Sequence, residues 1–150
     1  MKRIIIYVAV LVALMVVPIK GTDVGLLKPV EVVFIYEDSG KTVIETDTGD
    51  KGIGISAEDA LWNLEDTTAG YIYLDTAEYL VITEETEKMV ERLRPKLKQS
   101  LQMCYGETCI DLMKAARFLP AHGRLPQLRE WKNGMDLPKL TCFEERMKLL

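Results

Sequence analysis

The residues of this chain that could do chemistry gather first around a short acidic stretch. Asp47-Thr48-Gly49 has the form of the aspartic-protease tripeptide, in which two carboxyls share one proton and activate water. A second triplet of the same kind, Asp75-Thr76-Ala77, follows 28 residues later, too close for two lobes that each supply one aspartate. The flanks also differ, with Thr46 before the first triplet and Asp50 after its glycine. An aspartate-dependent hydrolase therefore ranks below a binding role for the same residues. Asp47, Asp50 and Asp75 are candidate ligands for a small molecule or a calcium ion, centred on the Asp47–Gly54 loop. The regular ligand spacing of an EF-hand loop is absent.

Two fragments imitate phosphate-binding motifs. Gly52-Ile53-Gly54-Ile55-Ser56-Ala57 is a literal G-x-G-x-x-A before an expected helix. Dinucleotide binding needs a strand leading straight into that turn, so that the pyrophosphate sits on the helix N-terminus. Here Asp47 and Asp50 intervene and would repel phosphate. Gly40-Lys41-Thr42 matches the end of a P-loop, but Ile35 stands where the first glycine is required. His122 is the only histidine, so a triad or dyad would rest on it alone. With Cys104, Cys109 and Cys142 it could complete a zinc tetrahedron, but only Cys104 and Cys109 have the short spacing of a zinc site. The sequence thus assigns no catalytic residue, no metal and no cofactor.

The remaining candidates are for recognition. Trp62, Trp131, Tyr71, Tyr73 and Tyr79 could line a ligand pocket or cover the edge of a core. Arg92, Arg94, Lys96 and Lys98 form a basic strip. It reads as a partner-binding surface or as a solvated helix end followed by an edge strand, where lysines deter aggregation. Charge is strongly polarised: residues 21–90 hold 4 basic and 16 acidic residues, net −12, and residues 91–150 hold 12 and 7, net +5. The two halves can offset each other within one molecule, or dock a protein partner or a second copy. The net charge of −4 argues against nucleic acid as partner.

Location constrains these readings. Lys2 and Arg3 precede Ile4 to Ile19, which carries no charge, and Pro18 and Gly21 resemble a cleavage region. Residues 1–21 are expected to be a signal peptide or a signal anchor. As an anchor they are short, since the uncharged helix would span ~24 Å of a core about 30 Å thick. In both cases the rest of the chain is extracytoplasmic, either secreted or held at the membrane through residues 4–19. A disulfide among Cys104, Cys109 and Cys142 is then permitted, with one thiol left over.

The elements that must position these residues follow from pattern. Residues 22–29 read as a linker and residues 30–150 as one domain. Val30–Tyr36 is nearly all apolar, a strand buried on both faces. Glu37–Gly40 is a turn and Lys41–Thr46 the returning strand. Ser56 caps a helix, with Asp59 closing a capping box and Ile55 as a staple. Ala57, Ala60, Leu61 and Leu64 form one face of it, and Gly70 stops it. Tyr71–Leu74 and Tyr79–Thr83 are strand-like. Thr83 caps a second helix that ends at Pro95. Leu97–Tyr105 is a strand. Thr108 caps a third helix with Cys109, Leu112, Met113 and Ala116 inward. Pro126–Asn133 is a short helix and Leu140–Phe143 a last strand. The expected class is α/β (α+β), a single mixed sheet with about three helices, in the order β-β-α-β-α-β-α-(α)-β.

Gly54, Ser56, Ala60 and Leu61, then Leu80, Val81 and Ile82 followed by Glu84 and Glu85, carry a resemblance. Residues 31–92 resemble the N-terminal region of Ger(x)C-type spore germination proteins. The matched positions are structural. The family's lipid-anchoring cysteine is absent, and Asp75 stands where the pattern often has histidine. The resemblance implies a non-enzymatic accessory domain at a membrane or spore surface. The function expected is therefore an exported, non-catalytic accessory or protein-interaction domain of bacterial type.

Overall fold

The structure is a computed structural model that describes residues 27–143 and 146–149. The expected export segment lies outside the described residues. Among the described residues no helix is long and apolar enough to cross a membrane.

The apolar run of the first long strand is explained by a sheet covered on both faces. β2 (Val32–Asp38) is flanked by β3 (Lys41–Thr46) on one side and by β6 (Tyr79–Ile82) on the other. Its side chains alternate between two cores. Val33 and Ile35 face one, with Leu80, Ile82 and Met103; Val32, Phe34 and Tyr36 face the other, with Val81 and Cys104. The full sheet runs β4-β3-β2-β6-β7-β8-β9, with β4 Lys51–Gly54, β7 Gln102–Gly106, β8 Lys139–Phe143 and β9 Arg146–Leu149. Strands β2, β6, β7 and β8 are parallel to their neighbours in that series, while β3, β4 and β9 are antiparallel. The expected mixed sheet with three helices is thus present.

Three helices cover the sheet. α1 (Ala57–Thr67) and α2 (Glu87–Leu93) lie on the first core through Ala60, Leu61, Leu64, Val90 and Leu93. α3 (Leu112–Phe118) lies on the opposite face through Leu112, Ala115 and Ala116. Burial of each large aliphatic side chain stabilises the fold by about 1.5–3 kcal/mol. The start of α2 is also tied to the sheet by a buried polar contact. The Thr86 hydroxyl lies 3.1 Å from the Ile35 carbonyl and, in a reciprocal cap with Thr83, accepts from the Thr83 amide at 3.2 Å.

Several expectations need correction. The last residues of the linker, Leu27–Pro29, form β1, which pairs in parallel with β5 (Tyr71–Tyr73) in a separate two-stranded sheet. The second half of the Asp47–Gly54 loop is β4. Ser56 does cap α1, accepting from the Asp59 amide at 3.1 Å, but the Asp59 carboxylate receives the Ser56 hydroxyl instead of closing the box on the backbone. Ile55 is 86% exposed and staples nothing. The third helix is capped by Asp111, which accepts from the Lys114 amide, so Thr108 lies ahead of it; Cys109 and Met113 point outward. Leu97–Leu101 is not strand. Pro126–Asn133 is not a helix: Gln127 bridges Gln102 in antiparallel fashion, and Leu128 and Trp131 enter the first core.

Candidate functional site

The phosphate-like glycines turn out to be packing residues. A Cβ at Gly52 would sit 2.1 Å from the Ala60 carbonyl oxygen, and one at Gly54 would sit 2.3 Å from the Ala60 nitrogen. The two glycines let α1 lie directly on β4, as glycine does wherever two backbones approach closely. Gly40 belongs to a two-residue hairpin turn, in which Ser39 and Gly40 both take positive φ (53° and 76°). This is the type I′ geometry that matches strand twist.

The aspartates of the acidic loop are held by their own chain. One Asp47 oxygen accepts from the amides of Glu31 and Val32 at 3.0 and 3.1 Å. It thereby fastens the β3–β4 turn to the start of β2. Asp50 is paired with Lys28 at 3.2 Å and accepts from the Thr48 hydroxyl at 2.7 Å. Asp47 lines a cavity of about 330 Å³ against Asp111 and Met113, and Asp75 lines a different one. Among the described residues no three His, Cys, Asp or Glu side chains form a group able to hold a metal ion. Asp47, Asp50 and Asp75 therefore do not meet as one calcium cage or as a catalytic pair.

The cysteines are also separate. Cys104 is buried in β7, and burial pushes its thiol up to about 12. Cys109 is exposed, with its sulfur 3.8 Å from a Glu107 oxygen. Both are free thiols, so a Cys104–Cys109 disulfide is not formed. The side chain of Cys142 lies outside the described residues. His122 is exposed, stacks on Phe118 at 3.6 Å between ring centres, and shares a 2.8 Å contact with the Phe118 carbonyl. Among the described residues it belongs to no group able to hold a metal ion.

The basic strip divides. Arg94 is half-buried and donates to the carbonyls of Leu128 and Arg129 at 3.0 and 3.3 Å. It braces the segment that follows α3 and is not free for a partner. Arg92, Lys96 and Lys98 are exposed.

Lys96 and Asp75 meet in one groove of about 420 Å³ between α1 and the Tyr71–Asp75 segment. Leu61, Ile72 and Leu74 line its apolar part. Trp62 and Tyr73 form its aromatic walls, and Glu58, Glu65 and Asp75 its acidic rim. Glu58, Trp62 and Glu65 fall on one stripe of α1 because positions four and seven apart share a helix face. β1 and the 3-10 turn Leu74–Thr76 hold the opposite wall. The Thr76 hydroxyl lies 3.0 Å from the Val30 carbonyl and accepts from the Val30 amide at 3.0 Å. Trp62 is 66% exposed, Tyr71 59% and Tyr73 43%. Trp131 and Tyr79, in contrast, are core residues. The sequence named Trp62 and Tyr73 together but could not place them. The signal that separates them from Trp131 is that Trp62 lies off the Ala57/Ala60/Leu61/Leu64 stripe.

A second cavity, about 360 Å³, opens at the carboxyl ends of β6 and β7. The chain leaves those neighbouring strands toward opposite faces of the sheet, which is where open α/β sheets form ligand crevices. Its lining includes Glu84, Glu85, Glu107, Lys139 and Tyr105. The Tyr105 hydroxyl is taken by Glu87, and burial followed by that carboxylate pushes the phenol well above its ordinary value. The carboxylates would repel a phosphate, and the lining brings no histidine or cysteine. The position is that of a ligand site.

Comparisons of the chain with protein-family models, curated proteins and solved structures found no match. The groove therefore has to be read from its own chemistry.

Proposed function

We propose that this chain is an exported, non-catalytic protein-interaction domain acting at a bacterial cell or spore surface, with the α1 groove as its docking surface. The observation that carries this reading is the exposure of Trp62, Tyr71 and Tyr73 beside an apolar strip rimmed by charge. Large aromatic groups in water are costly to leave bare, and Trp and Tyr dominate the energetics of protein interfaces. Three candidates elsewhere are engaged by the fold: Asp47 by amides, Asp50 by Lys28 and Arg94 by carbonyls. The extracytoplasmic setting rests on Lys2, Arg3 and the uncharged run after them, and the surface setting on the resemblance of residues 31–92 to the spore germination proteins.

The test is site-directed photo-crosslinking in an extracytoplasmic extract. A photoreactive amino acid placed at Trp62 should give discrete adducts with another protein. The same group at Met113, exposed on the opposite face, should not. Equal labelling from both positions, or none from Trp62, refutes the groove as the docking surface.

A further inference from the structure

We infer that the α1 groove recognises a lysine or arginine side chain from a basic segment of the partner protein; this rests on reading the groove as a docking surface. The groove offers three carboxylates, Glu58, Glu65 and Asp75, against one cation, Lys96. Among the described residues none of these four side chains makes an ion pair or a side-chain hydrogen bond within the molecule, so their charge is available to a visitor. The carboxylates come from both walls, two from α1 and one from the Leu74–Thr76 turn. A cation between them is attracted from both sides. The surrounding half of the chain has the same sign, with residues 21–90 at net −12, which steers a basic segment toward this side.

The aromatic walls fit the same guest. Lysine and arginine combine an apolar stem with a charged head. The stem can lie on the apolar lining while the head faces the Trp62 or Tyr73 ring, whose π-face attracts cations. Elsewhere the protein holds a lysine at the hydroxyl edge of a tyrosine and beside a carboxylate. The Lys51 ammonium lies 5.2 Å from the centre of the Tyr36 ring and 3.6 Å from a Glu45 oxygen, with the Tyr36 hydroxyl at 2.6 Å. That hydrogen bond, ahead of the attraction of Glu45, raises the Lys51 pKa. A volume of about 420 Å³ suits one or two extended side chains and not a folded element. Lys96 at the same groove favours an acidic neighbour beside the guest cation.

The experiment is a titration of the full chain with four probes: an octapeptide alternating Lys and Ala, its Glu counterpart, a neutral proline-rich peptide and a neutral oligosaccharide. Tryptophan fluorescence reports binding, because Trp62 is open to water while Trp131 is buried. The basic peptide should bind, and raising salt from 50 to 300 mM should weaken it at least threefold. Combining Glu58→Gln, Glu65→Gln and Asp75→Asn should lower its affinity at least tenfold, and Trp62→Ala should abolish the signal. All four sites are on the surface, and circular dichroism of each variant verifies the fold. Unchanged affinity in the neutralised variant overturns the inference. Trp62-dependent binding of another probe in place of the basic peptide also overturns it, while leaving the docking surface intact. Failure of every probe, or self-association that quenches Trp62 without any of them, refutes the cationic guest; the crosslinking result then decides the docking surface separately.

Discussion

Replacing Gly52 by alanine should damage both the stability of the domain and the shape of its groove. The new methyl group would lie 2.1 Å from the Ala60 carbonyl oxygen, 2.5 Å from the Leu64 Cβ and 2.6 Å from the Leu64 nitrogen. Two of these obstacles are backbone atoms, so no change of rotamer relieves them. α1 must withdraw from β4 by about 1 Å to restore ordinary contact. Overpacking of this kind costs about 1–3 kcal/mol by itself. The withdrawal also loosens Leu61 and Leu64, and losing half the burial of each adds about 2 kcal/mol. Alanine restricts the unfolded chain, which offsets less than 1 kcal/mol. The expected net loss is about 2–5 kcal/mol, a large part of the 5–15 kcal/mol typical of a domain. The assay is urea denaturation followed by far-UV circular dichroism, with the midpoint falling at constant slope. The control is Gly49→Ala, where φ is +84° and nothing lies within 4 Å, so only the backbone cost of about 1 kcal/mol applies. Trp62 rides on α1, so its emission maximum should move in Gly52→Ala and not in the control. A Gly52→Ala variant as stable as Gly49→Ala would show that α1 does not sit on β4 as described.

Other outcomes follow from single side chains. Asp47→Ala should destabilise by about 2–3 kcal/mol, because two amides lose a charged acceptor, whereas Asp47→Asn, which keeps an acceptor oxygen, should cost under about 1 kcal/mol. Millimolar calcium should leave the thermal midpoint of the unsubstituted protein unchanged, and a concentration-dependent rise would restore the ion-binding reading. Thiol labelling at pH 8 followed by peptide mapping should modify Cys109 rapidly and Cys104 only on unfolding, since burial lifts the Cys104 thiol to about 12. Folding stability should fall as pH rises above about 9, with the decline steepening past 10. Cys104, Tyr79 and Tyr105 all have raised pKa values in the folded state, chiefly through burial. The unfolded chain therefore releases these protons first, and their contribution, complete below the unfolded pKa values, is lost at alkaline pH. A midpoint that stays flat from pH 8 to 11 contradicts the burial of these groups.

Much of the architecture was legible in the residue pattern, and the misses share a cause. The unbroken run Val32–Tyr36 announced a strand covered on both faces, and Lys41–Thr46 announced its partner. The Ala57/Ala60/Leu61/Leu64 stripe announced α1. β1 was missed because Leu27–Pro29 is short and its pairing partner, Tyr71–Tyr73, lies far along the chain. β4 was missed because its glycines read as loop, whereas they mark close approach by α1. Pro126–Asn133 does not form the expected short helix because Gln127 bridges Gln102, a contact with a segment distant in the chain.

The sequence by itself determined the chain's class, its polarised charge, the uncharged run behind Lys2 and Arg3, and its single histidine. Those are properties of composition and local order, and they need no neighbour in space. Only the tertiary structure decided which candidates are available for function. Asp47 and Arg94 carry the same charges in either case, but long-range backbone partners occupy them. Trp62 and Trp131 are chemically identical, yet one closes a core and the other stands in water. Glu58, Glu65, Asp75 and Lys96 come together because α1 packs on β4 and β1 pairs with β5, contacts between segments distant in the chain.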